Sequence, residues 1–267
     1  MHPIERLRYV ARASGAPQAP LVRETAMSLG AFADDPAGLV TACRRIIANH
    51  PTSGPLWWLC SRVLTGTDPI SEAWEAVDAL DGDRTARELA HALPADATVC
   101  VVGWPDVVGE ALVARGDLDV LVVDALGEGS GLVRRLVRSE VDAIDVPMSG
   151  LGAAAAAADV VLLEASVVGP TAAMAVAGSR AAAAVAAHRE ADVWLVAGIG
   201  RLVPKRIWET LEGWHDRDDE PWELDEEQVP LDLVSSMIGT LGVRTVEDAL
   251  RRVDTPIAPE LLREGVL

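Results

Sequence analysis

From about residue 95 the chain alternates short runs of branched apolar residues with segments of helical periodicity, and this alternation constrains the fold more than any other feature. The runs are Thr98 to Val102, Leu118 to Val123, Val141 to Val146, Val160 to Leu163 and Val193 to Val196. Branched side chains suit a pleated sheet. Runs this continuously apolar are covered on both faces, so the pattern predicts a parallel sheet flanked by helices. In such sheets a ligand lies beyond the carboxyl ends of the strands. The loops after Val102, Val123, Val146, Leu163 and Val196 are therefore expected to line one crevice.

The preceding residues read differently. Apolar positions recur at helical spacing through Ile4, Leu7, Val10 and Ala11 and again through Leu39, Ala42, Cys43 and Ile46. Asp35-Pro36 has the form of a helix start, with Asp as cap and Pro in the first turn. Asp68-Pro69 repeats it, ahead of a face carrying Ile70, Ala73, Val77 and Leu80. The predicted architecture is α/β: an N-terminal helical domain, 1–93, followed by a Rossmann-like parallel sheet with helices on both faces, 94–267.

With 267 residues, 50% of them hydrophobic, the chain has ample material for a full core. No stretch approaches the roughly 20 uncharged apolar residues that cross a bilayer. The opening MHPIERLRYV mixes charge into its first turn, unlike a secretory leader, so a cytoplasmic protein with no membrane partner is expected. The 23 basic and 41 acidic residues give a net charge of -18, and Lys205 is the only lysine. So acidic a surface argues strongly against direct nucleic-acid binding, which needs concentrated Lys and Arg. It also suits solubility at high salt, where charge repulsion is screened, while a GC-rich codon bias would equally account for Arg over Lys. The three cysteines, Cys43, Cys60 and Cys100, have no spacing that suggests disulfides or zinc. No metal or cofactor is expected.

Chemistry-bearing candidates are few. The glycine-rich GEGSG, Gly127 to Gly131, opens a helix read as beginning at Leu132, and fits either a phosphate cradle or a plain turn. No GxGxxG follows the first strand and no GK[ST] occurs. Cys100 sits inside the apolar strand TVCVV, which favours a buried thiol over a nucleophile. Among the histidines, His50, ahead of Pro51-Thr52, has the best claim to a site. The acidic segment 215–228 reads as a solvated loop, because its carboxylates lack metal-ligand spacing. Asp159 to Ser179 has the outline of a ligand-binding strand, loop and helix with almost no reactive side chains.

Several segments, taken in order, resemble the superfamily of the regulatory subunits of translation initiation factor two-B, methylthioribose-1-phosphate isomerase and archaeal ribose-1,5-bisphosphate isomerase. HPTSGPLWWL, from His50, resembles the family's Arg-Pro-Thr-Ala-Val-Asn-Leu and aromatic helix, with His50 in place of a phosphate-holding arginine. DALGEGSG, from Asp124, resembles Glu-Ser-Arg-Pro-x-x-Gln-Gly, placing Leu126 for Arg and Ser130 for Gln while Gly131 is kept. Val160 to Ser179 matches without a gap the strand ending Gly-Ala-Asp-Ser-Ile and the later Asn-Lys-Ile-Gly-Thr. Ala165 then stands for the catalytic aspartate and Ala175-Val176 for Asn-Lys, while Ser166, Gly178 and Ser179 remain. The place of the catalytic cysteine falls near Trp104 or, with a different loop length, at Cys100. VWLVAGIGRLVPKRIW and VDTPIAPELL, from Val193 and Val253, resemble the closing-loop strand and the C-terminal segment.

The resemblance implies a dimeric α/β protein from which the isomerase chemistry has been stripped, since moving a carbonyl along a ribose phosphate needs an acid–base pair and phosphate anchors. It points to a non-catalytic regulatory or ligand-sensing protein that self-associates, with a sugar phosphate or nucleotide as the candidate ligand. The ligand-site candidates are His50, Ser130, Gly131, Ser166, Gly178, Ser179, Arg201 and Lys205. The alternative is an aldose–ketose phosphate isomerase rebuilt around Glu164, with Asp124, His50 or Cys100 assisting and Arg201 and Lys205 as anchors. A capping or ion-paired Glu164 would undercut that alternative.

Overall fold

The computed structural model describes residues 18–32, 34–215 and 220–262. The periodic stretch from Ile4 to Ala11 lies outside them. Among the described residues four helices come first: α1 Gln18–Leu29, α2 Pro36–Asn49, α3 Gly54–Thr65 and α4 Pro69–Asp81. The two Asp-Pro starts are as expected. The Asp35 carboxylate accepts from the Gly38 N–H and Asp68 from those of Ile70 and Ser71, each with Pro in the first turn. Ala73 and Val77 are buried on α4, but Ile70 is 43% exposed, because it lies in the first turn beyond the packed face.

A fifth helix, α5 Thr85–Ala92, leads into the main sheet. There the strands and helices are β1 Thr98–Val102, α6 Asp106–Val113, β2 Asp119–Asp124, α7 Gly129–Arg138, β3 Asp142–Pro147, α8 Leu151–Ala157 and β4 Val160–Glu164. After β5 Val167–Val168 and β6 Ala172–Val176 come α9 Ser179–His188, β7 Asp192–Val196, α10 Lys205–His215, β8 Glu226–Pro230, β9 Ser236–Gly239, β10 Gly242–Arg244 and α11 Val246–Leu250. Seven strands form one sheet in the order β10-β9-β7-β4-β1-β2-β3, parallel except for the β9–β10 hairpin. The strand order turns back at β1, between β2 and β4, which is where a crevice opens in this architecture.

The period of two along each strand divides the core. Val99, Val101, Val120, Val122, Val160 and Leu162 face α5, α6 and α7, packing on Leu89, Leu112, Leu132 and Leu136. Cys100, Val102, Val123, Val161, Leu163 and Leu195 face the small residues of α8 and α9, Ala155, Ala182, Ala183 and Ala186. Alanine here lets the helices lie close to the sheet.

Three readings need correction. The segment from Asp159 is not a plain strand, loop and helix: β5 and β6 form an antiparallel hairpin, joined by β8 into a second, three-stranded sheet. Its Ala-rich strand lies between two layers, Ala173 and Ala175 facing the β-sheet core while Ala172 and Met174 face the N-terminal helices and α10. Consequently the acidic segment is not wholly a solvated loop, because its last residues pair as β8 through Val176↔Glu226 and Met174↔Gln228. α7 also starts earlier than read, at Gly129 inside the glycine-rich loop.

Candidate functional site

A cavity of about 370 Å³ opens beyond the carboxyl ends of β1, β2, β4 and β7. Gly103 to Asp106 come from the loop after β1, Leu126 from that after β2, Glu164 and Ser166 from β4, and Arg201 from the loop after β7. His50 and Thr52 close it from the α2–α3 connection. Against expectation, no residue of the loop after Val146 lines it. That loop turns toward α9 instead, where a Cβ on Gly178 would sit 2.5 Å from Met148 Cε.

Glu164 ends β4 at the centre of the site. One carboxylate oxygen accepts from Arg201 Nη2 at 2.8 Å and the other from the Val108 N–H at 3.0 Å, in the first turn of α6. Arg201 is 5% exposed and also donates to the Ala165 carbonyl. Capping and ion pairing thus act on the same carboxylate.

The same device recurs along the crevice edge. Asp124 accepts the Gly129 N–H at 2.7 Å, at the start of α7, and Glu227 accepts the N–H groups of Gly178 and Arg180 at 2.7 and 2.9 Å, at the start of α9. Helix N-termini attract anions through their free amides and dipole. Here the chain supplies its own carboxylates to three of them. Over α7 the indole of Trp104 lies so close that a Cβ on Gly131 would be 2.2 Å from Cζ3. The candidate phosphate cradle is therefore occupied by the protein.

Around the cavity stand Asp106, Glu128, Asp225 and Glu226 besides Glu164, and Ser166 Oγ donates to Glu226. Burial raises the Asp106 carboxyl above the ordinary range, with the Glu164 charge adding and Arg201 opposing. Asp106 and Glu226 escaped the sequence reading. The signal for Asp106 was its place, just after Trp104-Pro105 at the end of β1.

Among the residues singled out from sequence, His50, Glu164, Ser166 and Arg201 meet at this cavity. Ser130 and Gly131 lie in the first turn of α7, and Gly178 adopts φ 96° ahead of α9. Ser179 is buried, its Oγ without a hydrogen-bond partner among the described residues. Lys205 stands exposed on α10, 3.5 Å from Glu209, away from the lining. Cys100 is fully buried, and burial pushes its thiol up to about 12, which leaves it inert at neutral pH. Of the residues read as fillers, Trp104 and Leu126 line the cavity while Met174 is buried away from it. Among the described residues no cluster of three or more His, Cys, Asp or Glu is placed to hold a metal, and no helix is long and apolar enough to cross a membrane.

Solved structures share this architecture. The translation initiation factor eIF-2B of Pyrococcus horikoshii OT3 superposes with a TM-score of 0.78 over 93% of this chain and 98% of its own, at 13% identity. A chain of the tetrameric eIF2B-beta2-delta2 complex from C. thermophilum gives 0.77 over 93% and 92%, at 16% identity. The eIF-2B subunit delta from A. fulgidus gives 0.61 over 98% and 91%, at 16% identity. No protein-family model and no curated protein matches the sequence. The fold is that of the eIF2B subunits, as the sequence resemblance implied.

Proposed function

We propose that this chain is a non-catalytic regulatory or ligand-sensing protein built on the eIF2B-subunit fold, cytoplasmic and self-associating. The observation that carries the reading is the engagement of Glu164: its two oxygens are spent on Arg201 and Val108, while Ala165 holds the place of the resembled aspartate. A carboxylate held from both sides is a poor proton shuttle. The expected homodimer draws support from a similar chain solved in a beta2-delta2 tetramer.

The lining also bears on the ligand. Five carboxylates and a single, already paired arginine repel a phosphate, and the helix N-termini that would hold one are filled. The sugar phosphate or nucleotide suggested by resemblance therefore fits this cavity poorly. A neutral polyol or an amine-bearing metabolite, stacked on Trp104, fits better.

One observation favours the rebuilt enzyme, and it shifts the base from Glu164 to Asp106, whose carboxyl is raised by burial inside the cavity. Size-exclusion chromatography with light scattering is expected to give a dimer, and a clean monomer at low and molar salt would remove self-association. Proton NMR of the protein is expected to show line broadening with a neutral or amine metabolite, none with ribose 1,5-bisphosphate, and turnover of neither. Product formation abolished by Asp106→Asn would establish the enzyme instead.

A further inference from the structure

A second cavity, about 210 Å³, lies at the same end of the sheet between the loop after β7 and the β9–β10 hairpin, and shares no lining residue with the first. Its charge balance is reversed. Arg244, on β10, and Arg252, just after α11, both line it, and the carboxyl present, Asp254, pairs with neither.

The two arginines differ from their neighbours. Arg251 turns back to Glu247 and Asp248 of its own helix, whereas Arg252 forms no ion pair among the described residues. Nε of Arg244 is shielded from solvent and has no hydrogen-bond partner among the described residues. A guanidinium N–H withdrawn from water without an acceptor is costly, and in native proteins such a group calls for an explanation. The nearby Glu88, 3.7 Å from where a Cβ on Gly242 would lie, is already engaged by Arg84 and Arg87. Burial raises the Asp254 carboxyl above its ordinary value, with a backbone hydrogen bond and the Arg62 charge opposing the shift. Two planar forks facing one small cavity suit the geometry of an oxyanion.

We propose that this cavity binds a small oxyanion, the phosphate or carboxylate group of a free ion or small metabolite, held between Arg244 and Arg252. In so acidic a chain, two guanidinium groups outnumber the single carboxyl in this lining, which gives an anion a place to settle.

The test is isothermal titration of the full chain with inorganic phosphate at ionic strength held constant by KCl, and in parallel with glycerol phosphate and acetate. Saturable binding of one phosphate per chain is expected, weakened at least tenfold by Arg252→Gln and by Arg244→Lys. Arg252 is exposed, so its variant keeps the fold, which circular dichroism checks. Arg45→Gln removes an equal charge from an exposed site outside the lining and is expected to leave binding unchanged. Tighter glycerol phosphate would identify a phosphate monoester as the ligand class, and tighter acetate a carboxylate. Absence of saturable binding for all three anions, or equal weakening by Arg45→Gln and Arg252→Gln, would overturn the proposal.

Discussion

Glu164 and Arg201 form a buried ion pair at 2.8 Å, and the second oxygen of the same carboxylate closes the N-terminus of α6. Breaking such a pair from one side strands a charge, whereas replacing both partners by apolar groups of similar volume is often neutral. Glu164→Ala is expected to lower stability by about 3–5 kcal/mol. The double variant Glu164→Met/Arg201→Met should recover most of that loss in urea denaturation. If the double variant is as unstable as the sum of the single ones, the two side chains are not coupled.

Asp106 titrates above its ordinary value in the folded chain, through burial first and the Glu164 charge second. Between the unfolded and folded pKa the native state therefore binds more protons, and stability falls as pH rises through that window. Asp106→Asn should be more stable than the parent at pH 7. The difference should vanish below the unfolded pKa. A flat difference across the acid range would show that the Asp106 charge carries no penalty.

Trp104 occupies the space a Cβ on Gly131 would need. Gly131→Ala is expected to expel the indole from α7 at a cost of about 1–3 kcal/mol, the usual range for overpacking. The indole N–H resonance assigned through Trp104→Phe should shift as the ring, already 41% exposed, leaves the helix. An unchanged resonance with unchanged stability would show that the ring does not seal the helix start.

The net charge of -18 should make the chain more stable as salt screens its self-repulsion. Its melting temperature is expected to rise from dilute buffer toward molar KCl. A flat or falling trend would separate the acidity from salt adaptation.

Much of the main sheet was readable from sequence because its strands are buried on both faces, where Val and Leu report the environment without ambiguity. Asp35 and Asp68 were equally legible, since capping is a local interaction. The second sheet was not. AAMAV carries helix-forming alanines that become a strand only because two cores close over it, and EEQVP reads as polar loop until Glu226 meets Val176. At the site, the position of Glu164 was visible but its two partners lie 37 and 56 residues away in sequence. The sequence pattern could not say which neighbours would consume its oxygens.

The core of the N-terminal helices includes Val203, Ile207, Trp208, Ala258 and Leu261, and Arg44 on α2 donates to the carbonyl of Glu260. During synthesis, α2 leaves the ribosome long before the residues that cover it, a contact separated by 216 positions. At about 5–20 residues per second those apolar faces wait some ten to forty seconds for their lid. These early helices are thus among the last to be sealed, and a nascent chain stalled before residue 203 would present them to chaperones and proteases.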